Sequence, residues 1–351
     1  MLYDYFHYTE LDKRFYEEHL KERLPKEVMD SHTHLNLPEH IRDVPPERIQ
    51  NDWALQSGLR MTADDAAYYY KTLFPENQFS IVSFPFPVKE VHMEENNAYV
   101  AKCAQNGKIA RGLMCVKPEY SCEYIQQQIM ELGFSGLKPY PDMVSGAKGA
   151  EIGIFDFFPH QQMALAERMG LPVVMHLPRA GRMPDENNIR ELKELRQRYP
   201  DLKMVIAHFG RCYTPYHFKL ALDRLGSLAE SFYFDTAAVL NPEVLRIGFD
   251  RLPADRILFG TDEPIFLWHG YREWTKTQYV NLAREEFPWN THHKSAKDEA
   301  NYTFFVYRQI DNILSELERF GANEHVRNAV FRENCLQVFS QNSAFAKLQK
   351  K

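Results

Sequence analysis

Two histidines stand one residue apart in VMDSHTHLNL (residues 28–37), at the end of a short apolar run. On a strand, side chains two residues apart share a face, so His32 and His34 aim at one spot, which is a geometry for ligating a metal. An isolated pair of this kind is more often a solvated strand end than a site. Four further residues, however, follow apolar runs in the same manner: Lys138 after GFSGL, His176 after LPVVM, His208 after LKMVIA and Asp262 after DRILFGT. Neutral imidazoles and a carboxylate are suitable ligands for a divalent cation such as zinc, with an open position for water. The metal would lower the pKa of that water, and Asp262 could take its proton and return it to a leaving group. Taken singly, each residue has a plainer reading. His176 and His208 would be hydrogen-bonded core histidines, Lys138 the partner of a carboxylate or of an anionic substrate, and Asp262 a turn or helix cap. Together the plainer readings require several coincidences.

Arginines sit beside these residues. Arg179 follows His176 by three positions and Arg211 follows His208 by three, with Arg182 a little further on. Guanidinium forks match carboxylates, so a small acidic substrate is expected, and surface ion pairing is the alternative for either arginine alone. Tyr140 and Trp268, just beyond Lys138 and Asp262, are expected to wall the pocket or stack on a ring. Asp235 in FDTAAV is read either as a partner that orients a histidine or as a helix cap, and Glu263 as another such partner. The pair His292 and His293 is read as a solvated loop.

These residues need elements that bring them to one place. Eight short apolar runs supply them: VMDSHTHL, FSIVSFPF, ARGLMCV, GFSGLKPY, LPVVMHLP, LKMVIAHFG, SFYFDTAAV and DRILFGTDEP. Most are too short and too continuously apolar to alternate, as expected of parallel strands buried on both faces. Helical stretches such as EENNAYVAKCAQNG, SCEYIQQQIMELG and ENNIRELKELRQRYP lie between them, several closed by Gly or Pro. Eight strand and helix units predict an α/β fold, a (β/α)8 TIM barrel, with an open doubly wound sheet as the alternative. In a barrel the strand C-terminal ends carry the active site, and all six residues lie at such ends. Residues 38–76 and 265–300 interrupt the rhythm after strands 1 and 8 and are expected to be insertions over that face. Residues 1–27 read as a helical arm, with a helix over 9–24, residues 28–340 as the barrel and 341–351 as a tail.

The remaining composition bounds the class. A net charge of −6 on 351 residues gives no footprint for nucleic acid, and 44% hydrophobic residues allow a sizeable core. Five scattered cysteines without a CxxC pair argue against a disulfide framework and fit a cytoplasmic protein. The charged, aromatic start and the lack of a long apolar run predict neither secretion nor membrane insertion. The arm and the insertions offer surfaces for a homo-oligomer.

The segments DSHTHL, GFSGLKPY, VVMHLP, VIAHFGR, FYFDTAA, ILFGTDEP and RENCLQVF, spread from Val28 to Phe339, together resemble the amidohydrolase superfamily, and more narrowly its amidohydrolase-2 branch of hydrolases, lactonases and nonoxidative decarboxylases. The resemblance implies that His32, His34, His176 and Asp262 ligate metal. It leaves His208 either a ligand of a second ion or a polarising acid/base beside a single one. Lys138 matches the lysine that, when carbamylated, bridges two ions in two-metal members; single-metal relatives leave it unmodified. One metal or two therefore remain open, zinc being the default and manganese suiting the donors nearly as well. The expected function is metal-dependent hydrolysis of an amide, ester or lactone in a small carboxylated molecule, with Asp262 and His208 catalytic. The alternatives are nonoxidative decarboxylation of an aromatic or muconate-like acid, and a catalytically silent barrel that binds a ligand.

Overall fold

A computed structural model describes residues 6–52, 55, 56, 60–146 and 151–340. The expected tail, 341–351, lies outside the described residues. Eight parallel strands follow one another in ring order: β1 (Glu27–His34), β2 (Gln78–Phe84), β3 in two pieces (Arg111–Gly112 and Met114–Val116), β4 (Leu137–Pro139), β5 (Val173–Met175), β6 (Met204–Ile206), β7 (Tyr233–Asp235) and β8 (Ile257–Leu258). Leu113 joins the two pieces of β3, its N–H donating to Ser83 and the N–H of Met114 to Gly136. The ring closes between the last strand and the first. The N–H groups of Ser31 and His34 donate to the carbonyls of Phe259 and Glu263, and that of Asp262 donates to His32. The expected (β/α)8 barrel is therefore present, and the open sheet is not.

The strands divide the core into two faces. Met29, Val82, Leu113, Cys115, Val174, Val205 and Leu258 pack together inside the barrel, whereas Val28, Ile81, Met114, Val173, Met204 and Ile257 pack against the surrounding helices. Side chains alternate along a strand, so each short run contributes to both faces, which explains why the runs are apolar throughout. Lys138 lies opposite Cys115 in the β3–β4 register and thus takes an interior position among hydrophobic neighbours.

The helices between strands keep their sequence-predicted places, including Met93–Gln105, Cys122–Leu132 and Glu186–Arg198. Asp185 caps the last of these through the N–H groups of Asn187 and Asn188. The arm is shorter in regular helix than expected. It runs as α-helix over Glu10–Phe15 and as a wider π-type turn over Tyr16–Leu20. Phe15, Tyr16, Leu20 and Leu24 are buried in the outer core, so the arm is part of the barrel's packing.

Both insertions lie after strand C-terminal ends, as expected. The first contains the helix Ala63–Leu73. The second holds an antiparallel hairpin, β9 (Gly270–Trp274) and β10 (Tyr279–Ala283), which the sequence analysis does not anticipate. Its turn, Thr-Lys-Thr-Gln, has none of the Gly, Asn or Asp residues that mark a tight hairpin. No helix among the described residues is long and apolar enough to cross a membrane.

Candidate functional site

A cavity of about 560 Å³ opens at the C-terminal end of the barrel, and His32, His34, Lys138, Tyr140, His176, Arg179, Arg182, His208, Arg211 and Asp262 all line it. Backbone strain gathers around it. Arg179, Arg182, His208, Phe209, Arg211, Ala238 and Asp262, in the loops after β5 to β8, all have positive φ. Each such residue costs roughly 1–3 kcal/mol, a cost that the surrounding packing must offset. The turn after β6 shows how. Gly210, at φ +70°, passes so close to Met183 that an added Cβ would lie 2.5 Å from it.

The floor is a cluster of donors. Single ligand atoms of His32, His208 and Asp262 lie within 4.8 Å of one another. His34 joins through Nε2, 3.1 Å from Asp262 Oδ1, and His32 Nε2 is 3.4 Å from the same oxygen. The His32 and His34 ring centroids are 5.4 Å apart, so the two imidazoles do converge. His176 stands one step out, its ring 5.2 Å from that of His208 and 4.6 Å from that of Tyr140. The tight triad therefore includes His208, where the family pattern emphasises His176.

Three of the histidines have their outer nitrogen engaged. His32 Nδ1 is 2.9 Å from Asp235 Oδ2, His208 Nδ1 is 3.0 Å from the Ala237 carbonyl, and His34 Nδ1 is 3.3 Å from the Pro85 carbonyl. Each Nδ1 thus carries the proton and donates it, leaving Nε2 as a lone pair facing the cavity. Asp235 also accepts the backbone N–H of His208 at 2.7 Å, so one carboxylate orients both residues. Of the two roles expected for Asp235, the histidine partner is the one realised.

Electrostatics favour ligation. Burial pushes the pKa of His32 and His176 well below the usual imidazole value, helped by Lys138 and His208 for His32 and by Arg211 and His208 for His176. Burial also lowers His34, against the pull of Asp262. For Asp262 burial acts upward, but its interactions with His208, His34 and His32 outweigh it and hold the carboxyl below the usual range. Neutral imidazoles and an ionised carboxylate are the required forms of metal ligands. Two lone pairs, on His32 and His34, then face one oxygen of Asp262, an arrangement that a cation among them would relieve. The residues present therefore fit a divalent metal.

Lys138 lines the same cavity. Its Nζ is buried with no hydrogen-bond partner, 4.6 Å from the centre of the Phe84 ring. Burial lowers its pKa to about 8, partly offset by Asp235, Cys115 and Asp262. Glu263 is likewise buried with both carboxylate oxygens unpartnered, and burial beside Asp30 and Asp262 raises its pKa strongly. Among the described residues its carboxylate makes no hydrogen bond to a histidine, although its carbonyl accepts the His34 N–H.

The arginines separate into two kinds. Arg179 forks onto Glu191 at 2.6 and 2.8 Å and also reaches Asn188 Oδ1, so its guanidinium is committed within the protein. Arg48, which the sequence analysis overlooks, is similarly held by Glu90 and Asp142. Arg211 donates through Nη1 to the carbonyls of Leu177 and Arg179 and, among the described residues, has no carboxylate partner. Arg182 has none either, and its Nη1 is buried without a hydrogen bond.

Trp268 lies away from the cavity. It is fully buried, donates its indole N–H to the Ile265 carbonyl at 2.6 Å and packs on Phe305 and Trp289. Trp268→Phe should therefore cost about 1–2 kcal/mol in a denaturant titration, with the affinity for a small carboxylic acid unchanged. Weaker ligand binding at unchanged stability would return Trp268 to the pocket wall. Tyr213 and Tyr279 line the cavity instead, and neither is singled out by the sequence. The expected solvated loop at His292 and His293 is exposed, with His293 paired to Glu299.

Solved structures share this fold. An amidohydrolase 2 from Bifidobacterium longum subsp. infantis superposes with a TM-score of 0.54 at 15% identity, over 91% of this chain and 100% of that one. A 2,6-dihydroxybenzoate decarboxylase from Rhizobium gives 0.53 at 15% identity, covering 90% and 99%. A 5-carboxyvanillate decarboxylase from Novosphingobium aromaticivorans, complexed with manganese and 4-hydroxy-3-methoxy-5-nitrobenzoic acid, gives 0.56 at 12% identity, covering 90% and 96%. No curated protein matches the chain. A family model described as amidohydrolase matches residues 29–340, nearly the whole barrel, and the chain belongs to that family.

Proposed function

We propose that the protein is a metal-dependent nonoxidative decarboxylase of a small aromatic or muconate-like acid. The observation that carries this reading is the Arg211 guanidinium, which has no carboxylate partner among the described residues and lines the same cavity as the buried His and Asp cluster. A carboxylate can bind there by charge-assisted hydrogen bonds to Arg211 while the rest of the acid lies over the cluster. Decarboxylation is also the reaction named for two of the proteins that share the fold. This exchanges the order of the two enzymatic readings drawn from the sequence.

His32, His34, His176 and Asp262 would hold a divalent metal, which when bound supplies positive charge to stabilise negative charge developing on the substrate. Zinc and manganese both suit imidazole and carboxylate donors, and manganese accompanies the 5-carboxyvanillate decarboxylase. Arg211 orients the carboxylate. The carbon–carbon bond breaks, carbon dioxide leaves, and the electron pair remains on the substrate carbon. That carbon must take up one proton. A doubly protonated His208 would deliver it from Nε2, its Nδ1–H being held by the Ala237 carbonyl. Asp262, within 4.8 Å, steadies the charged imidazole before transfer.

Lys138 favours a second reading. A buried amine without a partner and with its pKa lowered to about 8 is partly unprotonated near neutrality. It could take up carbon dioxide as a carbamate and bridge two ions, and hydrolysis of an amide, ester or lactone would then gain support. Metal-loaded protein incubated in D2O with hydroxybenzoic and muconic acids tests both. Release of carbon dioxide with deuterium on the carbon that bore the carboxylate is the expected result. Inert acids alongside cleaved lactones or amides would establish hydrolysis.

A further inference from the structure

We propose that the outer wall of the cavity is a second anion subsite, in which Arg182, backed by Tyr213 and Tyr279, receives a second carboxylate, so that the preferred substrate is a dicarboxylic acid. The inference deepens the proposed function and rests on its assignment of the first carboxylate to Arg211.

Positive charge around the cavity is only partly compensated. Four arginines line the cavity: Arg48, Arg179, Arg182 and Arg211. Two are neutralised internally, Arg48 by Glu90 and Asp142 and Arg179 by Glu191. Among the described residues Arg211 and Arg182 have no carboxylate partner. A single acidic group engaged by Arg211 leaves Arg182 uncompensated, with its Nη1 buried and without a hydrogen bond. Buried donors are normally satisfied, and an incompletely paired guanidinium on a residue that lines a cavity points to a ligand acceptor.

The wall behind Arg182 adds to this excess. Its guanidinium carbon lies 5.4 Å from the centre of the Tyr213 ring and 5.2 Å from that of Tyr279, and the two rings meet edge to face at 5.0 Å. Arg272, from β9, packs on the same two rings at 4.7 and 4.4 Å. Arg272 is only 1% exposed. Its polar contacts are neutral: Nη1 donates to the Ala238 carbonyl and Nε to Asn281 Oδ1. Two guanidiniums thus share a pair of tyrosines, and among the described residues no carboxylate is ion-paired to either, Asp262 acting on Arg272 only through space. Aromatic faces soften a cation's desolvation but cancel no charge. An incoming anion would do so, and Arg182 is the member of the pair that lines the cavity. Tyr279 belongs to the hairpin after strand 8, so the subsite is built by the insertion, where specificity is expected to reside.

The test is binding, which separates the subsite from the reaction. Benzoate, isophthalate and terephthalate are titrated calorimetrically into metal-loaded protein. At least one of the dicarboxylates should bind about tenfold or more tightly than benzoate. Arg182→Met should bring that ratio to within about twofold while leaving benzoate affinity unchanged, and Arg211→Met should weaken all three. Arg182→Gln serves as a second variant, with circular dichroism confirming that each remains folded. Equal binding of the three acids by the wild type, or an Arg182 variant that loses benzoate as severely as the dicarboxylates, would overturn the subsite. A retained dicarboxylate preference without carbon dioxide release would instead remove the decarboxylase reading and leave the subsite standing. Decarboxylation of monocarboxylic acids with no preference for a second acidic group would do the reverse.

Discussion

Asp262→Asn is expected to yield a folded barrel that no longer retains metal through dialysis. The substitution preserves shape and a hydrogen-bonding oxygen but removes the one negative charge among the described residues that His32 Nε2 and His34 Nε2 both face, at 3.4 and 3.1 Å. It is also mild for the backbone. Residue 262 sits at φ +76°, a region that Asn tolerates at least as well as Asp. Loss of function therefore cannot be ascribed to a distorted loop. Changing a residue that merely orients a ligand typically costs 10–100-fold in metal affinity, so loss of a ligand's charge should cost at least about 100-fold. Turnover should fall by about three orders of magnitude or more, because the ion and the neighbour that steadies a charged His208 go together. Metal per chain after dialysis, thermal melting and turnover are the three readouts. His32→Ala should behave alike in metal content. Undiminished metal in either variant would remove Asp262 or His32 from the ligand set.

How much of this was legible in the sequence differs from residue to residue. The strands were readable because both of their faces are buried, which leaves short uninterrupted apolar runs. The polar residues that end five of the runs were readable as candidates because an ionisable side chain at the end of a strand buried on both faces needs a partner or a cavity. His32, His34, His208 and Asp262 converge as that pattern requires. Fates decided by distant partners were not readable. Arg179 and Arg211 occupy equivalent positions after their histidines, yet Glu191, on a helix 12 residues on, captures only the first. Asp235 could be a cap or a partner until the fold set it 2.9 Å from His32 Nδ1. Trp268 was placed beside the cavity by its distance from Asp262 along the chain, but the chain turns its side chain into the aromatic core. The hairpin carrying Tyr279 and Arg272 was missed because its turn lacks the residues that usually announce one. The outer wall of the cavity was missed with it.

The same insertion is anchored by a buried charge cluster, and His269→Gln should release it. His269 immediately precedes β9 and is fully buried. Its Nε2 lies 3.0 Å from Asp12 Oδ2 on the arm, and its Nδ1 lies 2.7 Å from Glu285 Oε1 just after β10. Asp12 also caps its own helix and accepts from Thr303 at 2.7 Å, so one carboxylate joins the arm, the hairpin and the chain leading into the long helix Phe305–Arg319. Burial pushes the His269 pKa down, but the hydrogen bonds with Asp12 and Glu285 outweigh it and hold the value above the ordinary 6.5. Burial pushes Asp12 up, and His269 with Thr9 and Thr303 holds it below the ordinary 3.8. The raised histidine contributes stability that is full below pH 6.5 and is lost as pH rises through its folded value. The depressed aspartate contributes stability that is full above pH 3.8 and is lost as pH falls through its folded value. Between these limits the pair is fully charged. Removing one member leaves the other buried and uncompensated, which costs about 3–5 kcal/mol. Urea titrations should show His269→Gln less stable than wild type by about that amount at pH 5.5 and by clearly less at pH 9, as the wild type loses the histidine's contribution. A difference that is nil, or that grows from pH 5.5 to pH 9, would show that His269 stands in its site as a neutral hydrogen-bonding ring and that the arm is held by packing alone.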